Sequence, residues 1–275
     1  MSSCYSRINA DTIPRKGCLY KDRVRHSLLV TGFADCWTKI EDCGSGAYCN
    51  SSYCRDCRNK NSLAQSRKLI GLYRNYYSED HEARENMRFV TVLCELVKPN
   101  HTAVLESLKR AKLALTTLRR RKSLPGLLLF GRFELEAIDI GRVFQLRTCD
   151  RKVETIRALN GDREESFGRD MILVHFHAVM FLNGHDEEVV RNKLKLRWPV
   201  PYGISIKRLY KDQSIEDSIR KLCSYPLKDR YRYNYDFRTN GYEDGGYIND
   251  GSLSFLVRSS MSMFDKLIIY SKDRG

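Results

Sequence analysis

The sequence predicts an α+β protein built on a central antiparallel sheet and preceded by a Cys-rich segment. Three observations carry this expectation. Residues 88–96 (RFVTVLCEL) and 171–182 (MILVHFHAVMFL) are apolar, β-branched runs of strand length. From residue 88 onward the elements read β, α, β, β, α, β, α, the order of a split βαβ arrangement. Seven of the ten cysteines (Cys4, Cys18, Cys36, Cys43, Cys49, Cys54 and Cys57) fall within the first 57 residues.

Each element has its own signal. Residues 59–77 read as a helix with Leu63, Leu69, Ile70 and Tyr73 on one side. The acidic stretch 78–85 reads as a linker. After the first strand, residues 102–122 form a long basic helix pattern carrying Leu105, Leu108, Leu115 and Leu118, which Pro125-Gly126 breaks. Residues 127–138 are the next strand, and the charged stretch 147–169 reads as a loop or hairpin excursion. The strand at 171–182 is the strongest in the chain. A helix over 186–197 comes next, with Val189, Val190 and Leu194 at helical spacing, and residues 202–209 alternate as a strand. Residues 214–224 are helical, with Ser214 as N-cap and Glu216 and Asp217 in the first turn. Residues 253–257 and 267–270 look like short strands. The expected organisation is a Cys-rich module with its helix over 1–77, a principal domain over 86–235 and a C-terminal extension over 236–275.

The chain has 275 residues, with 48 Lys+Arg against 34 Asp+Glu and a formal net charge of +14. This length suits one large domain or two small ones. At 42% hydrophobic and 30% charged, the composition excludes a disordered tail and a membrane protein. No apolar run approaches the ~20 residues of a membrane-spanning helix. Residues 1–15 lack the apolar stretch of a signal peptide, so a cytoplasmic location is expected. Such a positive excess points to nucleic acid, the alternative being an inert basic surface. In a reducing compartment, clustered cysteines read as a metal site rather than as disulfides.

His175 and His177 stand two residues apart inside the strongest strand, so both rings face the same way. Val174, Phe176, Ala178 and Met180 face the other way, into a core. Many His-x-His pairs are one buried, hydrogen-bonded ring and one surface ring. Here the apolar flanks make uncompensated imidazoles costly. The neighbouring strand carries Glu134 and Glu136 on one face, and pairing would complete a two-His-one-carboxylate set suited to Mg2+ or Mn2+, with positions left open for phosphate oxygens. Downstream, Tyr225 begins a Tyr-Pro-Leu-Lys stretch ending at Lys228. A tyrosine hydroxyl can attack phosphorus, a cation can polarise the phosphate, and a lysine can neutralise developing charge.

A His-Phe-His strand followed by Tyr-x-x-Lys resembles the HUH endonucleases. More narrowly, it is similar to the rolling-circle replication initiators (Rep proteins) of small bacterial plasmids. Their three ordered motifs have counterparts in Phe89-Val90-Thr91-Val92-Leu93, in Val174-His175-Phe176-His177-Ala178-Val179, and in Tyr225-Pro226-Leu227-Lys228-Asp229. The strand that precedes the second motif in that family corresponds to Phe133-Glu134-Leu135-Glu136-Ala137, where Glu136 fits the family carboxylate best and Glu134 is the alternative. Upstream, Cys43-Gly44, Tyr48-Cys49 and Cys54-Arg55-Asp56-Cys57 match the family's Cys pattern, with Arg55 in place of its usual Pro. The resemblance covers residues 43–229.

It implies an HUH-type domain with an RRM-like sheet, preceded by a small zinc-binding module. Cys43, Cys49, Cys54 and Cys57 would hold a structural Zn2+, with Cys36 or His26 as a replacement for Cys43; unligated thiols are the other reading. It implies a site- and strand-specific nickase with His175, His177 and Glu136 on Mg2+ or Mn2+, Tyr225 as nucleophile and Lys228 assisting. The product would be a 5′-phosphotyrosyl adduct and a free 3′-hydroxyl primer. Implied partners are single-stranded or cruciform origin DNA and a host helicase and DNA polymerase, in a bacterial cytoplasm on a plasmid or mobile element, with no membrane. Arg230, Tyr231, Arg232 and Tyr233 interleave cations and rings, as a strip that tracks a single strand or as an edge strand whose tyrosines face the core. Some relatives carry a Glu one helical turn before the tyrosine for terminating hydrolysis; here that position is Lys221. A transposase or relaxase on the same fold, and a non-catalytic zinc-dependent nucleic-acid-binding regulator, are the alternatives.

Overall fold

In a computed structural model of the chain, the described residues are 16–45, 47–120, 124–145, 150–161, 170–224, 233, 247–263 and 268–270. Five strands form one antiparallel sheet among them: β1 (Met87–Val97), β2 (Leu128–Asp139), β3 (Asp170–Phe181), β4 (Ile204–Arg208) and β5 (Ile268–Tyr270). The spatial order is β4-β1-β3-β2-β5. Thus β3 lies between β1 and β2, and β1 lies between β3 and β4, which is the expected split βαβ interleaving. The helices α5 (His101–Arg120) and α8 (Glu187–Arg197) make the two crossovers.

Strand alternation sends each face of the sheet to a different layer. One face carries Val90, Val92, Phe133, Val174, Phe176 and Met180. It is covered by Val104, Leu108 and Leu115 of α5, Val190 and Leu194 of α8, and the helices α1 (Lys16–Val30) and α10 (Asp250–Ser262). The other face carries Met87, Leu128, Phe130, Val179 and Phe181. Against it lie Leu69 and Tyr73 of α3 (Arg55–Tyr76), Ala83 of α4 (Asp80–Asn86), and Ile215, Ile219 and Leu222 of α9 (Ile215–Ser224). Residues of all three expected segments, 1–77, 86–235 and 236–275, contribute to the first of these cores. Among the described residues, no helix is long and apolar enough to cross a membrane.

Three segments differ from expectation. The acidic stretch is not a linker: α4 buries Ala83 completely, and Arg84 donates to the carbonyl oxygens of Tyr210 and Gln213. Residues 150–160 of the expected loop form α7 (Asp150–Asn160), anchored by buried Ile156. Residues 253–257 belong to a helix rather than a strand. Asn249 caps α10 by accepting from the Ser252 amide at 2.8 Å, and Leu253, Leu256, Val257 and Ser260 fall on one buried helical stripe. The short strand expected at 267–270 is β5, paired with β2 at Phe130, Gly131 and Arg132.

Gly131 faces Ala178 across the β2–β3 ladder. A Cβ there would collide with the His177 carbonyl oxygen, and would stand 2.7 Å from Ala178 Cβ and 2.8 Å from Phe176 Cε2. Two of these neighbours cannot swing away, so β3 itself would have to move. Gly131→Ala should therefore cost about 1–3 kcal/mol in urea unfolding, and a wild-type midpoint would show that the strands separate freely.

Arg88 is buried on β1 and donates through Nε to Glu187 Oε2 at 2.6 Å, while its Nη1 donates to the carbonyls of Glu85 and Met87. Burial opposes ionisation of Glu187, but Arg88 and Arg191 outweigh it and hold the carboxyl below its usual range. The stability this supplies is present above the unfolded carboxylate value, near 4.3, and is lost as pH falls through the lower folded value. Glu187→Gln should cost about 2 kcal/mol at neutral pH and flatten the acid limb of the stability curve; an unchanged acid limb would refute the pairing.

Candidate metal centres

Cross-strand register assembles a polar cluster on the α3/α9 side of the sheet. His177 lies opposite Thr91 on β1 and Arg132 on β2, and His175 lies opposite Leu93 and Glu134. Paired residues share a face, so these side chains converge. His177 Nε2 is 2.9 Å from Glu134 Oε2, and His175 Nε2 is 3.0 Å from Glu136 Oε2. The two imidazole centroids are 5.7 Å apart. Phe89 stacks on His177 with rings inclined by 10°. All four polar side chains are buried, with relative exposures between 2% and 5%.

One ligand atom each from Glu134, His175 and His177 lies within 4.8 Å of the others, so this trio can hold a metal ion. Glu134, the alternative carboxylate, therefore completes the compact set. Glu136 sits one pleat further along, opposite Leu173, and reaches His175. Thr91 Oγ1 lies 3.0 Å from His177 Nδ1. An Nδ1–H donated to this hydroxyl leaves the Nε2 lone pair for a ligand, the second-shell arrangement that fixes a ligating tautomer. Two buried carboxylates demand positive charge, from Arg132, from imidazolium or from a bound cation.

The second cluster joins Cys43, Cys49, Cys54 and Cys57, whose sulfurs all lie within 4.8 Å of one another. The Cys43–Cys57 and Cys49–Cys57 separations are 3.4 and 3.6 Å. A disulfide is near 2.05 Å, whereas sulfurs around a tetrahedral Zn2+ stand about 3.8 Å apart. Cys54 is the N-cap of α3 and Cys57 lies in its first turn. Asn50, in the left-handed region at φ 57°, turns its amide to donate to Cys57 Sγ at 3.2 Å. Burial raises the Cys57 thiol to about 11. Burial also opposes ionisation of Cys43, but hydrogen bonds from the Cys49 amide and neighbouring thiols lower its value overall. Cys36, the alternative ligand, lies on α2 (Ala34–Glu41) outside this group, its thiol raised by burial and by Asp35. His26 instead sits 3.8 Å from Asp250.

Tyr225, Lys228, Arg230, Tyr231 and Arg232 lie outside the described residues. What is described is the end of α9 at Ser224, and Leu222 and Cys223 line a cavity together with His177. Tyr233 is buried rather than offered for stacking. Its hydroxyl donates to both oxygens of Asp170 at 2.7 Å, which satisfies the polar end of an otherwise apolar ring. The Lys221 ammonium stands 4.3 Å from the Tyr210 ring. The nearest acids on α9 are engaged, Glu216 with Arg74 and Arg220, and Asp217 with Ser214 and Arg220. Gln65 and Arg132, which no motif in the sequence marks, line the same cavity as His177.

The chain matches no family model, no curated protein and no solved structure.

Two independent cation sites should titrate with Co2+. The four-Cys site should give thiolate-to-metal absorption that Cys57→Ser removes. The Glu134/His175/His177 site should persist in that variant and vanish in His177→Ala. Both affinities should fall as pH falls, because protons compete for the ligands. A single shared stoichiometric step, or none, would contradict the assignment.

Proposed function

We propose that the protein is a metal-dependent DNA-nicking enzyme of the HUH type, acting as a rolling-circle replication initiator. The observation that carries this reading is the placement of His175, His177 and Glu134 on one sheet face, beside the last turn of α9, with Tyr225 next in the chain. The split βαβ sheet and the four-Cys group ahead of it agree with the resemblance, and we read the latter as a structural zinc module. The positive balance of the chain suits a polyanionic substrate.

A hard divalent ion such as Mg2+ or Mn2+ at the first centre would act as a Lewis acid on one scissile phosphate. His175, His177 and Glu134 hold the ligating geometry, and Thr91 orients His177. Tyr225 attacks phosphorus through its hydroxyl oxygen. The new Tyr–O–P bond replaces the P–O3′ bond, and the phenolic proton is balanced by the proton gained on the departing 3′-oxygen. The products are a 5′-phosphotyrosyl protein and a 3′-hydroxyl that a polymerase can extend. With Lys221 on Tyr210, and Glu216 and Asp217 ion-paired, we assign no acid of α9 to terminating hydrolysis.

The test uses a randomised single-stranded DNA pool with Mn2+ and scores a denaturation-resistant protein–DNA adduct. Wild type should form it, Tyr225→Phe should form none, and His177→Ala should slow it on the order of 10³-fold. Sequencing the captured ends gives the recognised site. Adduct formation by Tyr225→Phe at the wild-type rate would remove the proposed nucleophile. DNA binding without any adduct would favour a non-catalytic regulator.

A further inference from the structure

We infer that Gln65 is a substrate-contacting residue of the His175/His177 centre, donating to a non-bridging oxygen of the scissile phosphodiester; this rests on the proposed nicking activity.

Gln65 belongs to α3, whose buried stripe runs Gln65, Leu69, Tyr73 at four-residue spacing. The last two are apolar and pack on the sheet. Gln65 occupies an equivalent position yet carries an amide. It is 7% exposed, and its Nε2 has no hydrogen-bond partner among the described residues. A buried amide donor left unmade is costly, so something must accept from it when the protein works.

The surroundings define that acceptor. Gln65, Arg132 and His177 line a cavity of about 20 Å3, which Leu222 and Cys223 of α9 share. That volume suits one oxygen-sized group. The neighbouring side chain from the sheet is a guanidinium, in register with His177. An amide N–H and a guanidinium around a single-atom space favour an anionic oxygen over a neutral one. Beside a centre read as holding a scissile phosphate, the fitting ligand is a phosphoryl oxygen. Gln65 neither gains nor loses a proton in the step. Its N–H stabilises the charge that grows on that oxygen as phosphorus becomes five-coordinate.

The test compares wild type, Gln65→Met and Gln65→Glu on the randomised single-stranded DNA pool with Mn2+. Parallel measurements record the urea midpoint and Mn2+ binding. Gln65→Met keeps the volume and removes the orphaned donor, and Gln65→Glu keeps the shape and reverses its polarity. We expect both variants to bind Mn2+ as wild type does and to form adduct about 100-fold more slowly. Gln65→Met should also raise the urea midpoint, because an unsatisfied buried amide is gone. A purely structural Gln65 would lower midpoint and rate together in Gln65→Met, and that result overturns the assignment. Wild-type adduct rates in both variants, as expected for a cavity that only holds water, overturn it as well. If wild type itself forms no adduct, the nicking reading falls and this assignment falls with it.

Discussion

Strand β3 is hydrogen-bonded on both sides and buried on both faces along its whole length. Every polar side chain on it must therefore be compensated where it stands, because water cannot reach it. Among the described residues, the adjacent strands supply polar neighbours to His175 and His177. Thr91 comes from β1, and Glu134, Glu136 and Arg132 from β2. The register is consequently specified twice. A one-residue slip of β2 would turn both carboxylates into the face filled by Phe133 and Phe176, and would leave two imidazoles among apolar neighbours. Gly131 is the sequence-level counterpart of that constraint, since the ladder beside His177 has no room for a Cβ.

The same constraint explains what was legible from residues alone. Alternation in MILVHFHAVMF placed both histidines on one face, and alternation in FELEA placed both glutamates on one face. Neither pattern says which glutamate meets which ring. That depends on the pairing offset between distant strands, and Glu134 proved to be the residue opposite His175. The Cys spacing marked the four-sulfur group because Cys54-x-x-Cys57 is read over a single helical turn. Local signals failed where tertiary contacts decide. Leu63, grouped with Leu69, Ile70 and Tyr73 on one side of the helix, is exposed, while Gln65 is buried. The charge of α4 suggested a linker, yet one alanine and one arginine tie it down. The apolar density of residues 253–257 suggested a strand, but the interspersed serines are small residues that let α10 approach α1, where Ser254 meets Thr31 at 2.8 Å.

The two centres are joined by one helix. The N-terminus of α3 carries Cys54 and Cys57 of the four-Cys group, and its next turns lie over the sheet face that carries His177. From Cys57 to Gln65 is eight residues, or about 12 Å along the helix. Between its ends α3 has few apolar anchors, chiefly Leu69 and Tyr73, with Arg74 paired to Glu216 of α9. Such a helix owes its position to its attachments rather than to intrinsic stability. The four-Cys end is itself fastened elsewhere: Ser51 shares a 2.9 Å hydrogen bond with Ser260 of α10, and Tyr20 of α1 donates to the Tyr53 carbonyl at 2.7 Å.

Holding the cysteines together therefore does more than close a small loop. It sets the start of α3, and the start of α3 sets how Gln65 overhangs the face that carries His177. Burial pushes the Cys57 thiol up to about 11, so a cation bound among the four sulfurs would have to displace its proton. A cation there would tie the four sulfurs into a rigid corner. Through α3 that corner would bear on the sheet, whereas β2 and β3 bring His175, His177 and Glu134 together by their own register. Were a cation bound at the four sulfurs, its removal would leave the sheet-borne cluster formed while loosening the layer above it, which separates the requirement for folding the sheet from the requirement for covering that cluster.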